Sequence, residues 1–87
     1  MNKDLVKVFK ALGNNRRLNI ISFLKKKKVA SVGGIASAIK LSFTSTSKHL
    51  NILYSIGILD KEQNNLQIFY FISTTPPKIF HPILKTL

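Results

Sequence analysis

Between Leu41 and Gly57 the chain reads LSFTSTSKHLNILYSIG, and few folds accept such a segment. Ser42 is a good N-cap, its hydroxyl able to accept a bond from an unpaired backbone N–H, and Gly57 is a left-handed stop. The spacing predicts a helix over 43–56, about four turns long. At roughly 100° per residue, Thr46, Leu50, Leu53 and Gly57 fall on one line, with Phe43 and Tyr54 beside it, and that line is the buried face. Thr44, Ser47, Lys48, Asn51 and Ser55 fall opposite. The exposed side is thus short hydroxyls, an amide and one cation, with no acid. Ser and Thr compete for backbone hydrogen bonds and are mediocre helix formers, so a TSTS run is costly where it is merely solvated. Against a DNA groove the same run is useful, because small polar side chains allow close approach and can bond base edges or phosphates.

The charge supports that partner. The 87 residues carry a formal charge of +11 with only three acids, and none of these, Asp4, Asp60 and Glu62, lies between Leu5 and Leu59. So one-sided a field attracts a polyanion, either nucleic acid or an anionic membrane surface. The longest strongly apolar stretch, Ile20 to Leu24, is far too short to span a bilayer, and the N-terminal MNKDLVKVFKALG is not a secretory signal. A cytoplasmic protein with no membrane partner is expected. Two distant histidines, three acids and no cysteine offer no acid–base pair or nucleophile, so no enzyme is expected, and no cofactor or metal.

Residues 1–87 are expected to form one small domain, marginal alone and helped by a partner chain. Leu5, Val8, Phe9 and Leu12 recur at helical spacing and Gly13 closes that first segment, 3–12. Asn14 or Asn15 can cap a second helix, whose Leu18, Ile20, Ile21, Phe23 and Leu24 belong at the centre of the core. It ends in Lys25 to Lys28, which suits the negative end of the helix dipole and equally a phosphate clamp. Ser31 can cap a short third helix with Val32, Ile35, Ala36 and Ile39 inward; Gly33 and Gly34 weaken it by up to about 1 kcal/mol each relative to Ala. Lys40 and Leu41 then form a tight turn, so that the third and fourth helices read as helix-turn-helix.

After Gly57 the period becomes that of strands. Ile58 to Gln63 and Leu66 to Ile72 flank Asn64 and Asn65, which suit a two-residue hairpin and pair Gln63 with Leu66, Lys61 with Ile68 and Leu59 with Tyr70. The hairpin is a wing, apolar at its base, with Lys61, Gln63, Asn64 and Asn65 toward its tip; no third convincing strand is visible. Pro76 or Pro77 can begin a last helix, 78–87, with Ile79, Phe80, Ile83 and Leu84 on one stripe and Pro82 shortening or distorting it. That stripe has too little core to cover it. Together with Leu5, Val8, Phe9 and Leu12 it is expected to form a dimer interface. The fold class is mostly α with a small β-hairpin: a winged helix-turn-helix of about five helices and a two-stranded wing.

The segments Val8-Phe9-Lys10-Ala11-Leu12-Gly13-Asn14, Arg17-Leu18-Asn19-Ile20, Ile35-Ala36, Leu41-Ser42, Ser47-Lys48-His49-Leu50 with Leu53, and Gly57-Ile58-Leu59 leading to Phe69-Tyr70 together resemble the arsenic-repressor (ArsR-type) winged-helix family of transcription regulators. The resemblance runs from about Leu5 to Ile72. It implies a homodimer, acting as a repressor, that sets two copies of helix 43–56 in successive major grooves of double-stranded DNA, about 34 Å apart. By that resemblance Phe43, Thr44, Ser45 and Lys48 read bases, while Ser47 and His49 lie nearer the DNA backbone. His49, at the edge of the buried line, could equally be packed and bonded to a neighbour. Phe43 departs from the family's usual polar residue. Metal-sensing members carry cysteines where Ser31 and Gly33 stand, and ligands on a last helix that here has only His81, so metal sensing by those routes is not expected. An alternative use of the fold is an architectural or low-specificity nucleic-acid-coating protein, which the high charge favours.

Overall fold

Capping side chains mark where each of the middle helices starts. In a computed structural model that describes residues 3–87, α1 (Lys3–Leu12) leads through Gly13 and Asn14 into α2 (Asn15–Lys27), and the Asn14 side chain accepts the Arg17 N–H at 3.1 Å. Met1 and Asn2, the first residues of the expected domain, lie outside the described residues. The Ser31 hydroxyl caps α3 (Val32–Ile39) by accepting from Gly34, and Ser42 caps α4 (Phe43–Ser55) by accepting from Ser45, each at 3.1 Å. Both caps are those expected from the short polar side chains at these positions.

The C-termini of α3 and α4 close alike. At α4 the Gly57 N–H bonds Tyr54 O and the Ile58 N–H bonds Leu53 O, each at 3.1 Å, with Gly57 at φ 81°. This double closure satisfies two orphan carbonyls and brings Leu53 and Ile58, both fully buried, together. At α3 the same pair of bonds runs from Lys40 to Ser37 O and from Leu41 to Ala36 O, with Lys40 itself left-handed at φ 58°. A lysine therefore makes the tight turn of the helix-turn-helix.

α2 packs against α1, α3, α4 and the sheet. Its Ile20, Ile21 and Leu24 meet Ile35 of α3, Leu50 and Leu53 of α4 and Phe80 of the last helix in a core from which water is excluded.

The expected two-stranded wing is present, and the sheet adds a third strand where none was expected. β1 (Val29–Ser31) pairs antiparallel with β3 (Gln67–Ile72), which pairs with β2 (Leu59–Asn64), giving the order β1-β3-β2. Three residues are too few for alternation to show in a sequence. Their value lies in pairing the outer edge of β3, where Ala30 sits opposite Tyr70 and both are buried.

The hairpin register is also corrected. Leu59 faces Ile72, Lys61 faces Tyr70 and Gln63 faces Ile68, two residues from the expected pairing, and the turn is Asn65–Leu66 rather than Asn64–Asn65. Of the two adjacent asparagines it is Asn65 that takes positive φ, 58°. A shift of two leaves every side chain on its expected face, so the hydrophobic pattern cannot distinguish the two registers.

The last helix starts later than expected. α5 is Phe80–Thr86, entered by a turn in which the Phe80 N–H bonds Pro77 O at 2.9 Å. Pro82 is thereby the third residue of the helix, where its missing N–H would have had no intrahelical partner, and it is accommodated.

Candidate nucleic-acid interface

α4 turns its buried line fully inward: Thr46, Leu50 and Leu53 have no exposure. Thr44, Lys48, Asn51 and Ser55 stand on the exposed side, with Ser45 and Ser47 half-buried at its margins. Phe43, placed beside the buried line by the helical wheel, is instead 61 % exposed. Its ring stands with the polar face.

His49 is fastened into the protein. Arg17 Nη1 lies 3.0 Å from His49 Nδ1. A guanidinium has only donors, so Nδ1 is the acceptor, and a neutral imidazole then carries its proton on Nε2. The same guanidinium donates from Nε to Ala11 O and from Nη2 to Lys10 O, so one side chain ties the C-terminal end of α1 to the middle of α4. Burial, then Arg17, then Arg16 hold the His49 pKa below its ordinary 6.5. The sequence left open whether His49 faces DNA or a neighbour; Nδ1 has a neighbour, and Nε2 remains available.

The wing lies alongside α4. Lys61 Nζ sits 4.3 Å from the centre of the Tyr54 ring, a cation–π contact. Directly opposite Lys61 in the ribbon, Tyr70 donates its hydroxyl to Asn51 Oδ1 at 3.4 Å. Burial, with Tyr54 nearby, pushes the Tyr70 phenol above its ordinary 10.0, so it stays a donor. Strand alternation turns Asp60 and Glu62 to the face opposite Lys61, away from α4. Acids that look interleaved with Lys61 in the sequence are thus on the far side of the ribbon.

Between α4 and the wing runs a groove lined by Gly33, Phe43, Ser47, Asn51, Lys61 and Leu66, among others. The far wall ends at the tip, Gln63, Asn64 and Asn65, all exposed, followed by Leu66 at 97 % exposure. Leu66 at the tip and Arg17 behind His49 belong to this region of the structure without having been singled out as site residues in the sequence. Only the position of Leu66 between an asparagine pair and Gln67 hinted that an apolar side chain would crown the turn.

The lysine run divides. Lys25 Nζ donates to Leu84 O at 3.0 Å, closing the C-terminal end of α5 rather than of its own helix. Lys26, Lys27 and Lys28 are exposed. Of the apolar residues expected at a dimer interface, Val8, Leu12 and Phe80 are buried within the chain, Leu5, Ile79, Ile83 and Leu84 are half-buried, and Phe9 is 47 % exposed. Among the described residues no three His, Cys, Asp or Glu side chains gather, and no helix is long and apolar enough to cross a membrane.

Residues 14–61 match the family model of bacterial regulatory proteins of the arsR family. The chain is 36 % identical over 64 residues to a cadmium resistance transcriptional regulatory protein, CadC, of Listeria innocua, covering 74 % of this chain and 54 % of that one. This chain therefore spans about half the length of that relative. It is 33 % identical over 82 residues to the transcriptional activator HlyU of Vibrio cholerae, covering 94 % of this chain and 75 % of that one. Among solved structures, a homodimeric winged helix-turn-helix DNA-binding domain from Mycobacterium bovis superposes with a TM-score of 0.80 at 26 % identity, covering 95 % of this chain and 73 % of that one.

Proposed function

The chain belongs to the arsR family of bacterial regulatory proteins, and from that premise we propose that it is a sequence-specific DNA-binding regulator of transcription, acting as a homodimer and as a repressor that occludes a promoter. One observation carries the reading: the Thr44, Lys48 and Asn51 side of α4 stands clear of the core on a chain of charge +11. In the major groove, Thr44 and Ser45 bond base edges, Phe43 meets a thymine methyl, and Lys48 supplies charge. Ser47 and the Nε2–H of His49 donate to phosphate, and Lys61 with Gln63, Asn64 and Asn65 reaches the flanking backbone. The partner is double-stranded DNA, the cell compartment is the cytoplasm, and no catalysis is involved.

The dimer is assigned to α1 and the 78–87 segment, through Leu5, Phe9, Ile79, Ile83 and Leu84 outside the core and Val8, Leu12 and Phe80 supporting them from within. Cadmium, named for one relative, is not assigned to this chain, which has no cysteine, and the Ser31 hydroxyl is engaged as a helix cap.

The charge of +11 also favours a second reading, a coating protein that uses the same fold with little sequence choice. Selection of bound sites from a random duplex pool, together with the solution mass, separates the two. A recovered site with two related halves one helical turn apart supports the regulator; binding that depends on salt and not on sequence removes it.

A further inference from the structure

Leu66 is 97 % exposed at the tip of the wing. An apolar side chain held so far into water gains nothing from the fold, and single exposed leucines elsewhere on a surface need no explanation. Position makes this one different. It crowns a two-residue turn, next to Asn65 at φ 58°, and the Gln63 side chain donates to Asn65 O at 3.3 Å, bracing the turn from within. Beside it in the chain stand four amides, Gln63, Asn64, Asn65 and Gln67, while the wing's cation, Lys61, lies back along the same groove. A wing tip that merely held phosphate would carry Lys or Arg.

The groove beside it gives the direction. Ser47, Asn51 and Lys61 offer it hydroxyl, amide and ammonium groups, and a Cβ added at Gly33 on its rim would meet nothing within 4 Å. Val32, Phe43 and Ile68 add apolar surface to the lining, so the channel suits a sugar–phosphate strand, its sugars against the apolar part and its phosphates against the polar groups. With that strand in the channel, α4 lies on its major-groove side and Leu66, across the channel, lies on its minor-groove side. The hairpin is long enough: six residues from buried Leu59 to the turn span about 20 Å at about 3.3 Å each.

Resting on the reading of the chain as a duplex-binding regulator, we propose that Leu66 is a wedge that enters the minor groove flanking each α4 contact and partly unstacks one base step there, bending the duplex. Apolar side chains inserted between base steps kink DNA in this way, and the amide N–H groups around Leu66 match the acceptor-only floor of A·T pairs. The wedge is a specificity device, since a flexible step such as TA yields most readily. A protein partner is disfavoured: one leucine on a ribbon falls far short of the order of 1,000 Å² that a specific interface buries.

The test uses the full chain and a selected duplex carrying a fluorescent adenine analogue, bright when unstacked, at successive flanking steps, with dyes at the duplex ends to report bending. The wild type is expected to brighten one step on each side and shorten the end-to-end distance. Leu66→Ala should still protect the α4 half-sites and weaken binding by about tenfold, one factor of ten corresponding to one lost apolar contact, while abolishing both signals; Leu66→Met should restore them. A wild type that binds its site with no bright step, or a Leu66→Ala protein that keeps both signals, overturns the wedge alone. A changed solution mass in Leu66→Ala with unaltered DNA signals also overturns it, in favour of contact between proteins. Failure of the wild type to prefer any duplex overturns the functional reading as well.

Discussion

Arg17 and His49 are 32 residues apart in sequence and 3.0 Å apart at Nη1 and Nδ1. The first sits in the opening turn of α2 and the second in the middle of α4, and the bond exists only while Nδ1 is unprotonated. Above pH 6.5 the imidazole is neutral in both folded and unfolded chains, and nothing is lost. Below it the unfolded chain binds a proton that the folded chain, with its lowered pKa, resists. The unfolded state then holds more protons, so stability falls as pH falls, until the folded pKa is itself passed. His49→Gln keeps an acceptor for Arg17 and does not titrate. Urea midpoints measured from pH 7 to pH 5 should show the wild type losing stability relative to this variant; parallel curves would mean that the contact does not resist protonation.

On the exposed side of α4, Lys48 and Thr44 should fail in different ways when truncated. Lys48→Ala removes a phosphate-directed charge, so it should weaken all duplexes alike and lower the salt slope by about one. Thr44→Ala should leave the slope unchanged and relax the choice at one base pair by about 1 kcal/mol. Equal, sequence-blind losses from both variants would contradict direct readout by this face.

Much of this face was legible from the sequence because it depends on local rules. Ser42 and Gly57 bracket α4 through bonds that span three to five residues, and the 3.6-residue period alone sends Thr46, Leu50 and Leu53 inward. The Arg17–His49 bond was not legible, since it needs the packing of α1, α2 and α4 to be known. β1 escaped for a different reason: a three-residue strand has no period, and its partner β3 lies some forty residues away, about the separation at which only tertiary contacts decide. Asn64 and Asn65 both tolerate the turn, so composition left the hairpin register two residues off, which in turn hid the exposure of Leu66.

The hydroxyl of Thr46 is buried without a hydrogen-bond partner. Thr46→Val replaces it with a methyl of nearly the same shape and removes a desolvated polar group, which should raise stability by about 1 kcal/mol. Denaturant unfolding would check this. A loss instead would mean that the hydroxyl reaches a carbonyl of the preceding turn.

Two left-handed helix ends should respond with opposite signs. Gly57→Ala forces a Cβ onto a residue at φ 81°; space is not the obstacle, since the nearest atom, Pro77 Cδ, lies 3.9 Å away, so the cost is conformational, about 1 kcal/mol. Lys40→Gly relieves the same strain at φ 58° and should stabilise by up to about 1 kcal/mol in urea. Changes of like sign would show that something other than backbone conformation governs these turns.

The proposed dimer makes the sharpest demand on Phe9. Its neighbours on α1, Val8, Ala11 and Leu12, are buried inside the chain, yet Phe9 leaves 47 % of its surface in water beside the half-buried Leu5. In a two-fold dimer each such residue counts twice, because the same patch is used on both copies. Burying what is now exposed of one Phe is worth about 1 kcal/mol, somewhat less than the full burial of the side chain, so Phe9→Ala should cost about 2 kcal/mol per dimer. That corresponds to a dissociation constant raised about thirtyfold. Sedimentation across a concentration series would show the midpoint moving by that factor while far-UV circular dichroism stays the same. Because paired half-sites need paired helices, the variant should also lose preference for a two-half site over a single half at concentrations where it is monomeric. A wild type that sediments as a monomer at every concentration would remove the dimer, and with it the spacing of one helical turn expected between the half-sites.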